Sequence, residues 1–250
     1  IEEVLSAGIQ VVMITGDKRE TAEAIGRETG LLKDNDIVLT SDELKKLSDE
    51  EVKKILERGR PKIFFSGICG AGMSPLARLL SETGGAYIVG SDRNSKSCAA
   101  AALRAVGIKV YSVGEYVPRG FDALVFSLAM DENTPEILYA ESNGIPIMSR
   151  AQLMGALMLN YKHRIGVSGS HGKSTTTAML SRIFTYAGLE PTAICGAPLN
   201  EEGNLLRGRT DYFIYEGCEY KDSFLYMTPQ VQIVTSIELD HTDYFPDLAS

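Results

Sequence analysis

No stretch of the 250 residues approaches the roughly 18 uninterrupted apolar residues of a membrane-spanning helix, and no basic segment with an apolar core behind it opens the chain. A membrane span and a secretory leader are therefore not expected. Cysteine is scarce, and Cys69, Cys98, Cys195 and Cys218 stand far apart with no Cys-x-x-Cys pair. The plain reading is structural thiols in a reduced, cytoplasmic protein. Positive charge is also short: 25 Lys and Arg face 33 Asp and Glu, a formal net charge of −8. That balance argues against a general nucleic-acid binder and against a protein that docks on anionic membranes.

Other absences are uneven along the chain. Residues 1–60 contain no proline and no aromatic residue but 24 charged ones, whereas residues 61–250 hold all nine prolines, all 19 aromatics and 34 charged residues. A composition break this sharp near Arg60 implies two origins. The sequence starts at Ile1 and stops at Ser250 just after a motif, so it is expected to be a fragment, fused or misjoined near Arg60. Its length allows one large or two small domains with real cores.

What is present is most informative at Gly169-Ser170-His171-Gly172-Lys173-Ser174-Thr175. This stretch follows the apolar run Arg164–Ser168 and opens a helical pattern that ends near Gly188. Glycines there let backbone N–H groups approach phosphate oxygens, Lys173 reaches toward β- and γ-phosphates, Ser174 offers a hydroxyl to Mg²⁺, and the helix start adds its dipole. The strict phosphate-loop spacing is not met, because Val167 stands where the first glycine belongs. The short Gly-x-x-Gly-Lys-Ser form also fits an ordinary strand-to-helix turn with a solvated lysine, so context decides.

That context is a chain of short apolar strands alternating with helices from Lys62 onward, at Ile63–Ser66, Ala86–Val89, Lys109–Tyr111 and Ala123–Phe126. Such alternation is the pattern of a parallel sheet with crossover helices. The first strand runs into Gly67-Ile68-Cys69-Gly70-Ala71-Gly72-Met73-Ser74-Pro75, where Ser74 is expected as N-cap and Pro75 as first helical residue. A diphosphate fits such a turn, and Asp92, at the end of the second strand, is placed to accept from ribose hydroxyls. The glycine order differs from the dinucleotide pattern, which weakens an NAD reading. Further on, Glu216 follows the apolar strand Tyr212–Tyr215 and His241 lies beyond the strand Val231–Val234. With Ser174 they form a candidate oxygen-and-imidazole set for Mg²⁺.

The order of these motifs resembles the Mur ligases. The glycine turn with Met73-Ser74, Gly90-Ser91-Asp92, Ser127-Leu128-Ala129-Met130, Asn133-Thr134-Pro135-Glu136 and the run Gly144–Arg150 keep the order of that family's first domain. Gly169–Thr177 resembles its ATP loop. The resemblance implies a Rossmann-like UDP-sugar-binding domain over 61–160 and a truncated P-loop-type α/β ATP-binding domain over 161–250. Gly67, Cys69, Gly70, Ala71, Gly72, Met73, Ser74, Asp92, Ser127 and Arg150 would hold the sugar nucleotide. Residues Gly169 to Thr175 would hold ATP; Ser174, Glu216 and His241 would hold Mg²⁺; Lys173, Glu216 and His241 would be catalytic. Within the family the branch that joins L-alanine to UDP-N-acetylmuramate fits best, by way of an acyl phosphate. Two departures are visible: Ser149 stands where the family often has His, and Ser236 where it commonly has Asn.

The first sixty residues resemble something else. Ala7–Asp17, with a buried strand Ile9–Ile14 before Thr15-Gly16-Asp17, then Thr21–Ile25 and Gly30-Leu31, is similar to part of the phosphorylation domain of P-type cation ATPases, a small α/β, HAD-like fragment. Thr15 and Asp17 would be phosphate-site neighbours there. The aspartyl-phosphate motif Asp-Lys-Thr-Gly is missing, so this piece is expected to pump and hydrolyse nothing and to be a charged helix-strand-helix remnant through Leu56. Chain 1–250 is expected not to complete ligation alone. The rival readings are a non-catalytic UDP-sugar and ATP-binding module, a later-acting or muropeptide-recycling ligase of the same family, and an ion-pump or phosphatase fragment.

Overall fold

A computed structural model describes residues 18–32, 38–48, 51, 60–199, 203–218, 220–238 and 244. The chain divides into two compact units, Ile1–Pro61 with Thr83–Tyr87, and Lys62–Glu82 with Ile88–Ser250. In the first unit, helix α1 (Arg19–Glu28) is followed by the short helix α2 (Ser41–Leu44). Arg19 and Glu23 pair at 2.9 Å one turn apart on α1. A reciprocal cap starts α2: Thr40 Oγ1 accepts the Glu43 N–H at 3.3 Å, and Glu43 Oε2 accepts the Thr40 N–H at 2.8 Å. The strand expected at Ile9–Ile14, with Thr15 and Asp17, lies outside the described residues.

The second unit contains two five-stranded sheets. The first is built from β1 (Lys62–Ser66), α3 (Ser74–Glu82), β2 (Tyr87–Asp92), α4 (Cys98–Ala105), β3 (Lys109–Ser112), β4 (Ala123–Phe126), α5 (Pro135–Ser142), β5 (Ile147–Ser149) and α6 (Arg150–Met158). Its strand order is β3-β2-β1-β4-β5, with parallel registers that place Phe65 opposite Val125, Gly90 opposite Val110 and Val125 opposite Met148. Chain order reverses between β1 and β4, so the crevice that receives ligands in such sheets opens above the carboxyl end of β1.

The apolar strands bury on both faces because helices cover both. Phe64, Phe65, Leu124 and Val125 are fully buried. Phe64 stacks on Tyr116 at 6.2 Å and meets Phe121 edge-on at 5.8 Å. Helix α3 begins one residue earlier than its sequence suggests. Ser74 is already helical, and Pro75 takes the second position, where a missing N–H likewise leaves no intrahelical bond unmade. The Asn133–Glu136 segment is structural: fully buried Glu136 accepts the Gly114 N–H at 2.8 Å through Oε1 and so fastens the turn after β3.

The second sheet is built from β6 (His163–Ser168), α7 (Lys173–Tyr186), β7 (Thr192–Ile194), β8 (Leu205–Leu206), β9 (Tyr212–Glu216), a 3₁₀ segment (Tyr220–Tyr226) and β10 (Val231–Val234). The order is β10-β6-β9-β7-β8, parallel except that β8 runs antiparallel to β7. Ile165, Ala193 and Ile214 form its core with Leu180 and Phe184 of α7 packed against them. Strands β5, β7 and β8 had not been expected from the sequence. They are only two or three residues long, too short for a period to register. Of the described residues, none belongs to a helix long and apolar enough to cross a membrane.

Helix α6 packs on the 3₁₀ segment at Gly155, where a Cβ would collide with the Tyr226 carbonyl oxygen. Gly155→Ala is therefore expected to cost about 1–3 kcal/mol, the usual range for an overpacked contact. Urea unfolding of wild type and variant measures it, and an unchanged midpoint would contradict this packing.

Candidate functional site

Between β6 and α7 the backbone makes a turn that only glycine takes without strain. Gly169 has φ 132° and Gly172, the N-cap of α7, has φ 81°. A Cβ on Gly169 would lie 2.8 Å from the Ser236 nitrogen, so the bare glycine lets the segment after β10 lie flat on the loop. That segment fastens the loop at several points. The Thr235 N–H donates to Ser168 O at 2.9 Å and the Thr235 hydroxyl to His171 O at 2.5 Å. Ser236 accepts from the Ser170 N–H at 3.1 Å through its carbonyl and from the His171 N–H at 3.0 Å through Oγ. Ser170 Oγ exchanges bonds with the Glu238 backbone at 2.8 and 3.0 Å.

The Lys173 ammonium folds over this loop and donates to Gly169 O at 2.5 Å. A fixed positive charge thus sits at the N-terminus of a 14-residue helix, where the dipole and exposed N–H groups already favour anions. His171 contributes through its backbone. Its ring is 72% exposed and lies 3.6 Å from Glu238, a contact that solvent screens. Thr175 is exposed on the first helical turn.

Glu216 ends β9 beside the loop, because β9 is the parallel neighbour of β6 and brings Glu216 level with Val167. Its carboxylate accepts from Ser174 Oγ at 2.9 and 3.1 Å, from the Gly196 N–H at 2.7 Å and from the Cys195 thiol at 3.3 Å. Burial, helped by the adjacent carboxylate, pushes the Cys195 thiol up, which keeps it protonated and a donor. A hydroxyl and a carboxylate at a helix N-terminus form an all-oxygen pair that suits a hard divalent cation with phosphate and water completing its shell. The described residues include no cluster of three or more His, Cys, Asp and Glu placed for a metal. Mg²⁺ beside a polyphosphate does not need one. His241, the third expected ligand, lies outside the described residues.

The first sheet presents a second turn of the same kind. Ser91 O accepts the Gly67 and Ile68 N–H groups at 2.8 and 3.1 Å, and Asp92 takes the Cys69 N–H at 2.9 Å and the Asn94 N–H at 2.8 Å, one on each carboxylate oxygen. Asp92 thereby shapes the turn. Ser127 and Met130 close on Gly67, where a Cβ would fall 3.1 and 2.8 Å from their side chains. Met73 is buried beneath the turn, whereas Gly70 and Ala71 are exposed above it.

Arg150 reaches this turn because Ser149 starts α6 with a capping box. Ser149 Oγ accepts the Gln152 N–H at 3.2 Å while Gln152 Oε1 accepts the Ser149 N–H at 2.7 Å. The guanidinium then lies across Gly72, its NH1 3.1 Å from where a Cβ would stand. A cation and a helix N-terminus meet at a glycine surface, which fits a diphosphate.

The geometry brings together Gly67–Ser74, Asp92, Ser127 and Arg150 around one turn, and Gly169–Thr175 with Glu216 around the other. Sequence reasoning missed Thr235, Glu238, Cys195, Gly196 and Asn204. Their signal was nearly nil, since polar residues after a strand are ordinarily solvated loop residues.

Two parallel sheets, each with a glycine turn running from the carboxyl end of a central strand into a helix, define a Rossmann-like α/β protein. Residues 62–162 match the model for the Mur ligase family, catalytic domain, and the chain carries a Mur ligase family domain. It is 41% identical over 189 residues to the UDP-N-acetylmuramate–L-alanine ligase of Clostridium acetobutylicum, and 42% identical over 189 residues to that of Agathobacter rectalis. These matches cover 75% and 74% of this chain but only 41% of either relative, so the chain spans about two-fifths of their length. The crystal structure of UDP-N-acetylmuramate–alanine ligase from Thermotoga maritima superposes with TM-score 0.67 at 29% identity, covering 74% of this chain and 44% of that one. The UDP-N-acetylmuramate:L-alanyl-gamma-D-glutamyl-meso-diaminopimelate ligase from Neisseria meningitides also gives 0.67, at 26% identity, covering 76% and 65%.

Burial and a raised pKa both protect Cys195, whereas Cys98 is exposed. Alkylation of the native protein near pH 8 should mark Cys98 first and Cys195 last, as read by peptide mass spectrometry. Equal rates at the two thiols would contradict the buried Cys195–Glu216 contact.

Proposed function

We propose that the protein is part of an ATP-dependent ligase that joins L-alanine to UDP-N-acetylmuramate, acting in the cytoplasm in peptidoglycan precursor synthesis. The observation that carries this reading is the pairing of a glycine turn bearing Arg150 with a lysine-bearing loop whose Ser174 touches Glu216. The names of its relatives supply the substrates. On this reading residues 61–160 form the sugar-nucleotide domain and 161–250 the start of the ATP domain.

ATP supplies the phosphoryl group that turns the lactyl carboxylate into an acyl phosphate, which the amine of L-alanine attacks with loss of phosphate. The chain's own residues position and neutralise. Backbone N–H groups of Gly172–Thr175 at the start of α7 cradle the phosphates, those of Ser170 and His171 being held by Ser236, and Lys173 counters charge that grows on the transferred group. Ser174 and Glu216 hold Mg²⁺, with His241 assigned to the same task on sequence grounds. At the other turn, Arg150 and the start of α3 hold the diphosphate of the UDP-sugar, with Gly67–Ser74 and Ser127 around it. Asp92 keeps that turn in shape while retaining acceptor capacity for a ribose hydroxyl. No protein nucleophile is needed.

Calorimetric titration tests the substrate assignment. UDP-N-acetylmuramate should bind more tightly than UDP-N-acetylmuramoyl-L-alanine or NAD, and Arg150→Ala should weaken it about 10–100-fold, the worth of a charge-assisted contact. Preference for the alanylated ligand would move the assignment to a later ligase of the family. Separately, Lys173→Ala should weaken binding of Mg²⁺ with a non-hydrolysable ATP analogue by tenfold or more, roughly one charge-assisted bond. Unchanged affinity there would remove ATP from Gly169–Thr175.

A further inference from the structure

One polar residue belongs to neither turn and touches the machinery of both. Asn204 immediately precedes β8, whose Leu205 is buried and paired with Ile194 of β7. The hairpin base therefore fixes Asn204 at the same level as Cys195, and the Cys195 N–H donates to Asn204 O at 3.1 Å. From that anchored position the Asn204 side-chain amide donates to the carbonyl of Ala71, in the middle of the Gly67–Ser74 turn. On the other side, Cys195 Sγ and the Gly196 N–H hold Glu216 at 3.3 and 2.7 Å, and Glu216 holds Ser174 of the phosphate loop at 2.9 Å. An unbroken run of hydrogen bonds thus joins Ala71 to Ser174.

We propose that Asn204 is a positioning residue that couples the two turns, so that a ligand on Gly67–Ser74 and a metal-bound nucleotide on Gly169–Thr175 each strengthen binding of the other. The inference rests on the nucleotide reading above. Its physical basis is that both ligands draw on the same strut. A diphosphate on the first turn orders the Ala71 peptide and keeps its carbonyl toward Asn204. A divalent cation draws Ser174 Oγ toward itself, and the Glu216 carboxylate then relies on Gly196 and Cys195 to stay in place. Whichever ligand arrives first holds Cys195, Gly196 and Asn204 in place, and the second meets them already positioned. Asn is suited to this because a short amide donates sideways while its own backbone remains in the hairpin.

The test is a linkage measurement on the full chain. Affinity for Mg²⁺ with a non-hydrolysable ATP analogue is measured by calorimetry with and without saturating UDP-N-acetylmuramate, and then the reverse. Wild type should show the same enhancement both ways, about tenfold, within the usual range of allosteric couplings. In Asn204→Ala and in the near-isosteric Asn204→Asp, which loses the donor, the factor should fall toward one while each ligand still binds alone. Melting curves confirm that both variants are folded, and Asn204→Asp leaves no cavity if Asn204→Ala unfolds. Full coupling retained in the folded variants would overturn the proposal, as would independent binding in wild type. Failure of wild type to bind either ligand alone would sink the nucleotide reading itself, and the strut with it.

Discussion

The carboxylate of Glu216 is where the second sheet and its phosphate loop are held together. Ser174 of α7, Cys195 and Gly196 of the segment after β7, and β9 itself all meet at this one group. A half-buried carboxylate needs donors, and here they come from α7 and from the segment after β7, so satisfying the charge also fixes both relative to β9. The thiol is a weak donor, but burial keeps its proton on, and it meets the same Glu216 oxygen that Ser174 reaches at 2.9 Å. From this clasp follow the place of the loop, the direction in which Lys173 approaches it, and the suitability of Ser174 and Glu216 for a hard cation.

The two turns share a backbone plan and divide their chemistry. In the first, the acid is spent on shape, since both oxygens of Asp92 accept backbone N–H groups, and the cation comes from a distant helix as Arg150. In the second, the cation is built into the turn as Lys173, and the acid faces a hydroxyl. At the second turn the carboxylate stands against a hydroxyl at a helix start, an oxygen pair that suits a hard cation beside phosphate.

Much of this was legible from residues alone. The strands β1, β4, β6 and β9 announce themselves as apolar runs, because a strand covered on both faces is apolar, and β10 does so although it is a largely exposed edge strand. Gly169 and Gly172 were legible because only glycine takes their backbone angles cheaply. Arg150 was placed at the first turn by motif order, with Ser149 noted as a departure; its capping box shows how serine serves that position by starting α6 at Arg150. Illegible were β5, β7 and β8, and with β7 and β8 went the hairpin that sets Cys195 beside Asn204.

Local chemistry and periodicity, then, were determined by the sequence itself: which longer apolar segments are strands, where glycine turns leave backbone N–H groups at helix starts, and which Lys, Ser, Glu and Arg stand beside them. These depend on neighbours a few residues apart, and the necessary steric and hydrogen-bonding preferences are carried within a turn or a strand. Only tertiary structure decided what lies across each turn. Thr235 and Glu238 fasten the loop from more than sixty residues away, Cys195 and Gly196 complete Glu216, and Asn204 reaches Ala71 across 133 residues of chain. Such contacts are set by strand order and register, which sum the packing of whole sheets and leave no mark at the residues they join.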